Sequence, residues 1–218
     1  MPSTTRDVAV AGQPPVELFE PTLTADSLGF KTWGSALLLA ERLVAAGGRP
    51  VEPPVIELGA GTGLVAVVLA RLGLDVLATD LAEIVPNLAA NVARNLAGVA
   101  GAGTVTVEAL DWARPADSAA GRRGDRFASV VLSDPLYSPG HAALVMTAVR
   151  AVLAPGGRVV LQVPLRAGFE DVRAEFWQRL RAAGLARVAE AEQDGADDFG
   201  AARFYYSVWA APADWCIS

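Results

Sequence analysis

After Pro53-Pro54, short runs of β-branched and aliphatic residues alternate with longer Ala/Leu/Arg segments in which apolar positions recur every three or four residues. Strand-like runs separated by stretches of helical period are the pattern of βαβ units. The spacing predicts strands over residues 55–58, 76–79, 105–109, 128–133 and 158–163, and helices over 64–72, 83–96, 142–153 and 169–183. Two further strands, 185–189 and 204–210, are joined only by an acidic connection, which fits an antiparallel hairpin. Residues 114–126 carry neither period and are placed in a surface loop. Ahead of these units, Ala36, Leu37, Ala40, Leu43 and Val44 recur at helical spacing and Gly47-Gly48 supplies a stop, so a helix over 33–46 precedes the sheet. Val16 to Glu20 reads as a short edge strand before Pro21, and residues 1–15, polar and punctuated by Pro and Gly, read as a flexible tail. The expected fold is α/β: a Rossmann-like sheet of seven strands, mostly parallel, closed by an antiparallel hairpin, with helices on both faces. One domain spans 16–218.

Composition narrows what such a domain can do. Hydrophobic residues make up 52% of the 218 positions and charged residues 19%, too apolar for a disordered chain. Acidic residues outnumber basic ones 24 to 18, for a net charge of -6, so no general field draws the chain onto nucleic acid; a basic partner suits it better. A single cysteine, Cys216, and a single histidine, His141, give no internal disulfide and no Cys/His zinc site, and no metal is expected. No apolar stretch of membrane-spanning length is free of charge, and residues 1–10 lack a basic region followed by an apolar run. These features lead us to expect a soluble, cytoplasmic or nuclear protein without a membrane partner, monomeric by default. Lys31 is the only lysine.

The segment from Val55 to Leu64 runs from a buried strand through Gly59, Gly61 and Gly63 into a helix. Glycine lets backbone approach a ligand closely, and a helix start offers unpaired amides to a carboxylate or phosphate. A dinucleotide fingerprint would need glycine at position 64, where the chain has Leu64. Asp80 ends the next strand, placed either to accept hydrogen bonds from both hydroxyls of a ribose or to cap a helix. Asp134 and Tyr137 sit at the C-terminal end of a central strand, where open α/β sheets hold their ligands, and Pro135 stiffens the turn between them.

Taken together, Glu57-x-Gly59-x-Gly61-x-Gly63 with Asp80 resembles the first two motifs of the seven-β-strand methyltransferases that use S-adenosylmethionine. Trp33 before the sheet, Asp111-Trp112 after the third strand, and Ser133-Asp134-Pro135-Leu136-Tyr137 after the fourth resemble the branch that methylates lysines of folded proteins, such as translation factors and chaperones. The resemblance implies that Gly59, Ala60 and Gly61 line the methionyl end of the cofactor, that Asp80 holds its ribose, and that Glu57 belongs to the same cofactor site. It also implies that Trp112 packs beside the adenine with Asp111 near its amino group, and that Trp33 and Ser133 close the remaining cofactor surface. The alternative for Trp33 is a core anchor at a helix start. Asn91 and Asn95, four apart, fit helix-to-loop hydrogen bonding.

Asp134 and Tyr137 are the candidate catalytic pair. A lysine side chain arrives mainly as ammonium, with pKa about 10.4, and must lose a proton before its lone pair can attack. Two unit positive charges about 4 Å apart repel by about 4 kcal/mol at an effective dielectric near 20, so a sulfonium donor lowers the amine pKa by about three units. Asp134 opposes that effect and therefore suits capture and orientation of the incoming ammonium, while Tyr137 walls the channel. The same tetrad resembles the Asp/Asn-Pro-Pro-aromatic motif of enzymes that methylate planar nitrogens, a pattern Leu136 breaks. A small-molecule methyltransferase and a non-catalytic adaptor of the same fold are the other readings. His141, after Pro139-Gly140, reads as a surface or capping residue. The acidic positions Glu190, Glu192, Asp194, Asp197 and Asp198 read as a solvated loop, and Trp209 and Trp215 as packing residues.

Overall fold

The computed structural model describes residues 3–22, 28–197 and 200–215, so Cys216 and Asp198 lie outside the described residues. Seven strands form one sheet: β3 (Val55–Leu58), β4 (Val76–Asp80), β5 (Val105–Ala109), β6 (Phe127–Ser133), β7 (Leu153–Pro164), β8 (Ala186–Asp197) and β9 (Gly200–Ala210), in the spatial order β5-β4-β3-β6-β7-β9-β8. The first five are parallel to one another, and β9 runs antiparallel to both β7 and β8. The chain enters the sheet at β3, builds outward to β5, then returns to β3's other side with β6. That reversal opens a crevice beyond the C-terminal ends of β3 and β6.

Both faces of the sheet are covered, as its doubly buried strands require. Helices α1 (Gly34–Ala45), α2 (Leu64–Arg71) and α3 (Val85–Leu96) enclose one core, in which Leu39, Leu43, Leu69 and Val131 are fully buried. On the other face lie α5 (His141–Val152) and α6 (Glu170–Ala182), around Phe176, Leu161 and Trp209. Trp215 is buried in that second core.

Three local readings need correction. The expected flexible tail contains a strand, β1 (Thr4–Val8), which pairs antiparallel with β2 (Val16–Glu20). Its sequence, Thr-Thr-Arg-Asp-Val, is polar because the ribbon buries only Val8 of the five, while β2 buries Val16 and Leu18. The interval 114–126 holds a short helix, α4 (Ala119–Arg123), whose start is capped by the Ser118 hydroxyl accepting from the Gly121 amide and whose end is Gly124 in the left-handed region. The acidic connection is no loop: β8 and β9 continue pairing outward to Asp197 opposite Gly200. Glu190, Glu192 and Asp194 alternate with Ala191 and Gln193, a period of two hidden by their charge.

The ribbon of β1 and β2 is held to α3 by an asparagine ladder. Asn91 accepts from the Phe19 amide (2.9 Å) and donates to the Phe19 carbonyl (3.1 Å), and Asn95 does the same with Glu17 (2.9 and 2.7 Å). Asn87 adds a bond to the Phe19 carbonyl (3.1 Å). Side-chain amides four residues apart thus stand in for a further strand along β2, so the expected helix-to-loop bonds of Asn91 and Asn95 go to a strand instead.

Candidate active site

Residues following β3, β4, β5 and β6, together with the start of α1, line one cleft of about 480 Å³, within the range of about 300–1,000 Å³ usual for small-molecule sites. Trp33, Gly59, Ala60, Gly61, Asp80, Asp111, Trp112, Ser133, Asp134 and Tyr137 all reach it. Glu57 does not line the cleft; it lies in the wall behind the glycine loop, with 1% of its surface exposed.

Gly59 and Gly63 show why the loop needs glycine. Both have positive φ (74° and 92°), and an added Cβ would come within 2.8 Å of Trp112 in the first case and of Leu88 in the second. The Gly59 and Ala60 amides both donate to the Thr79 carbonyl (2.9 Å each), and the Gly61 amide donates to Asp80 Oδ2 (2.8 Å). These three amides are therefore committed to β4, and the loop offers close approach, not a set of free donors.

Asp80 accepts a second bond at Oδ1 from the Leu81 amide (2.8 Å). It does not cap α3, which starts at Val85 with Pro86 in its first turn. A carboxylate has about four lone-pair sites, so two remain for a ligand. Burial raises its pKa above the ordinary value, and the Gly61 and Leu81 amides pull it back. Glu57 has no hydrogen-bond partner at either oxygen. Burial first and the Asp80 charge second push its pKa up to about 8, with the nearby Ala66 amide opposing, so it is mostly protonated at neutral pH.

Across the cleft, β6 ends at half-buried Ser133, and the Asp134 amide donates to the Gln162 carbonyl (2.9 Å). Asp134 has φ 52°, the one positive value outside glycine among the described residues. Its Oδ2 meets Arg166 at 3.1 Å, while Oδ1 is buried without a hydrogen-bond partner. Burial pushes its pKa up to about 6, against the pull of Arg166. Tyr137, 39% exposed, packs edge-on against His141 with centroids 4.2 Å apart. Burial of the phenol raises its pKa, so it stays protonated at neutral pH.

His141 belongs to the cleft and not to the open surface expected of it: its ring also meets Trp112 (6.0 Å), and Nδ1 lies 3.2 Å from the Pro135 carbonyl. Trp33 is half-buried at the start of α1, a cleft wall and not a core anchor, with Lys31 and Arg166 over its ring at 5.9 and 5.5 Å. Asp111 Oδ1 accepts from the Ala113 amide (2.9 Å), a turn that fixes the approach of Trp112. Two groups near the cleft were missed in the sequence. One is the pair of hydroxyls Thr32 and Thr62, 2.7 Å apart. The other is Arg166, whose partners lie 31 and 32 residues away, so no local spacing reveals it.

A family profile described as lysine methyltransferase matches residues 13–182. The chain belongs to that family. Among its relatives within and around this lysine methyltransferase family, the protein-lysine N-methyltransferase EFM2 of Saccharomyces cerevisiae is 36% identical over 214 residues, covering 88% of this chain and 50% of that protein. The protein-lysine N-methyltransferase rrg1 of Schizosaccharomyces pombe is 36% identical over 208 residues, covering 91% of this chain and 67% of that one. The chain thus spans half to two thirds of the length of these relatives. In fold it is similar to a Thermus thermophilus 16S rRNA N2 G1207 methyltransferase solved with AdoMet and guanosine (TM-score 0.62, 19% identity, 97% of this chain and 51% of that one). The expected seven-stranded methyltransferase fold and lysine methyltransferase family are both borne out.

Proposed function

We propose that this chain is an S-adenosylmethionine-dependent methyltransferase that modifies lysine side chains of a folded protein. The observation that carries the reading is the meeting, in one cleft, of the glycine loop and Asp80 on one side with Asp134 and Tyr137 on the other. The cleft fits the cofactor: its volume suits a nucleoside-sized ligand, Gly59 lets the Trp112 ring pack directly against the loop at the cleft wall, and Asp80 keeps lone pairs for two hydroxyls. Gly59, Ala60 and Gly61 would line the methionyl end and Asp80 would hold the ribose, with Trp112 and Asp111 at the adenine and Trp33 and Ser133 closing the remainder. Glu57 would act from behind the loop, as a mostly neutral carboxyl. When bound, the cofactor supplies a methyl group on a positively charged sulfur.

Asp134, ionised above a pKa of about 6, accepts a hydrogen bond from the acceptor ammonium and aims it along the cleft. Tyr137, protonated, presents ring and hydroxyl to the same nitrogen, its ring braced by His141. The amine's proton leaves to water, because Asp134 stabilises the cation and is a poor base for it. A protein acceptor agrees with the names of the relatives and with the chain's acidic balance. A translation factor or chaperone is the acceptor class we favour. The test is incubation with methyl-labelled S-adenosylmethionine and a lysate, followed by mass spectrometric mapping. Label is expected on lysine of a protein; label on RNA or metabolites alone would reject the reading.

A further inference from the structure

Arg166 is bonded to Asp134 and has no part in the steps above. It lies between β7 and α6, and its Nη2 bridges two carboxylates, Asp134 Oδ2 at 3.1 Å and Asp197 Oδ2 at 2.9 Å, while its Nε reaches Asp197 at 3.0 Å. Both carboxylates are nearly inaccessible, with side-chain exposures of 4% and 2%. The guanidinium also lies over the Trp33 ring at 5.5 Å. Its own backbone is tied down: Arg173, itself buried, donates to the Arg166 carbonyl (2.9 Å), and the neighbouring Leu165 amide donates to the Arg203 carbonyl (2.7 Å). A cation so heavily anchored can set the direction of a flexible carboxylate.

Asp134 shows the result. A carboxylate held through one oxygen can rotate its other oxygen only within the limits that bond allows, and Oδ1 is the one left without a protein donor. A buried acceptor without a partner is costly, and the cost is recovered when a donor arrives. Asp197 lies at the outer end of β8, opposite Gly200, so the same guanidinium joins the hairpin to the residue that begins the Asp134–Tyr137 turn.

We infer that Arg166 is a positioning residue: it clamps Asp134 through Oδ2, leaving Oδ1 as the acceptor for the incoming amine's N–H, and ties that geometry to the β8–β9 hairpin through Asp197. The inference rests on the methyltransferase reading. Arg166 touches neither cofactor nor acceptor in this scheme, and its effect passes through Asp134.

The test is a double-substitution cycle with R166Q and D134N, read by single-turnover transfer from labelled S-adenosylmethionine to the protein labelled in the lysate experiment. R166Q alone is expected to slow transfer about 10- to 100-fold, the scale of a misplaced catalytic group, with cofactor affinity unchanged. In the D134N background the same substitution is expected to add little, because its target is already lost. R166K, which keeps the charge, should recover part of the rate, and it decides the case where D134N leaves no measurable transfer. Equal losses in both backgrounds, an unaffected R166Q, or an R166K no better than R166Q would overturn the assignment. If the unsubstituted protein transfers no label to any protein, the methyltransferase reading itself falls, an outcome distinct from these.

Discussion

The two sides of the cleft are built on opposite terms. On the glycine-loop side, the Gly59, Ala60 and Gly61 amides and both oxygens of Asp80 find partners within the protein. On the other side, Asp134 adopts a positive φ, leaves Oδ1 without a donor, and is followed by a Tyr137 that is 39% exposed. The first side is satisfied within the protein, with spare lone pairs on Asp80 left for a ligand. The second is incomplete by itself, with strain and an orphan acceptor, as expected where a substrate group completes the geometry. The difference separates binding from turnover, and substitutions on each side should move different quantities.

The largest effect is expected from Asp134→Ala. Removing the carboxylate should lower kcat about 100-fold or more, since positioning of the acceptor is lost, while calorimetry gives an unchanged cofactor Kd. A weakened Kd with little change in kcat would erase the division between the two sides. Asp80→Ala should do the reverse. Loss of hydrogen bonding to a charged acceptor, about 1.5–3 kcal/mol in total, predicts a cofactor Kd raised about 10- to 100-fold. The Gly61 amide also loses its partner, so a lower thermal midpoint should accompany the change. Unaltered affinity in calorimetry would remove Asp80 from the cofactor site.

How much of this was visible in the sequence follows the range of the interactions. β-Branched runs and a glycine loop are local signals, so all seven strands of the main sheet and ten residues around the cleft could be placed from spacing and resemblance. The hairpin's outer half escaped because edge-strand positions carry charge, which reads as solvated loop even where Ala191 and Gln193 preserve the alternation. β1 was missed for a related reason, since a ribbon that buries one residue in five leaves almost no apolar pattern. Arg166 was invisible because an ion pair across 32 residues has no periodicity, and His141 because a helix start looks the same whether it faces solvent or Tyr137.

Glu57 sharpens the comparison, because it is a buried carboxyl on the satisfied side whose oxygens have no hydrogen-bond partner. Its folded pKa of about 8 stands well above the value of 4.5 it starts from. Below 4.5 the folded and unfolded states are both protonated, and Glu57 leaves stability unchanged with pH. As pH rises from 4.5 towards 8, the unfolded chain releases the proton while the native protein keeps it, so stability falls, by up to about 1.4 kcal/mol per pH unit. Asp134, with a folded pKa of about 6 against 3.8, adds a fall of the same sign, confined to lower pH. Glu57→Gln keeps the neutral shape and removes the proton, so urea midpoints of the variant should decline less than those of the unsubstituted protein between pH 6 and 8. Parallel declines would show that Glu57 is already ionised in the folded protein, stabilised by a donor such as the Ala66 amide, and the wall behind the glycine loop would then carry a negative charge towards the sulfonium side of the cleft.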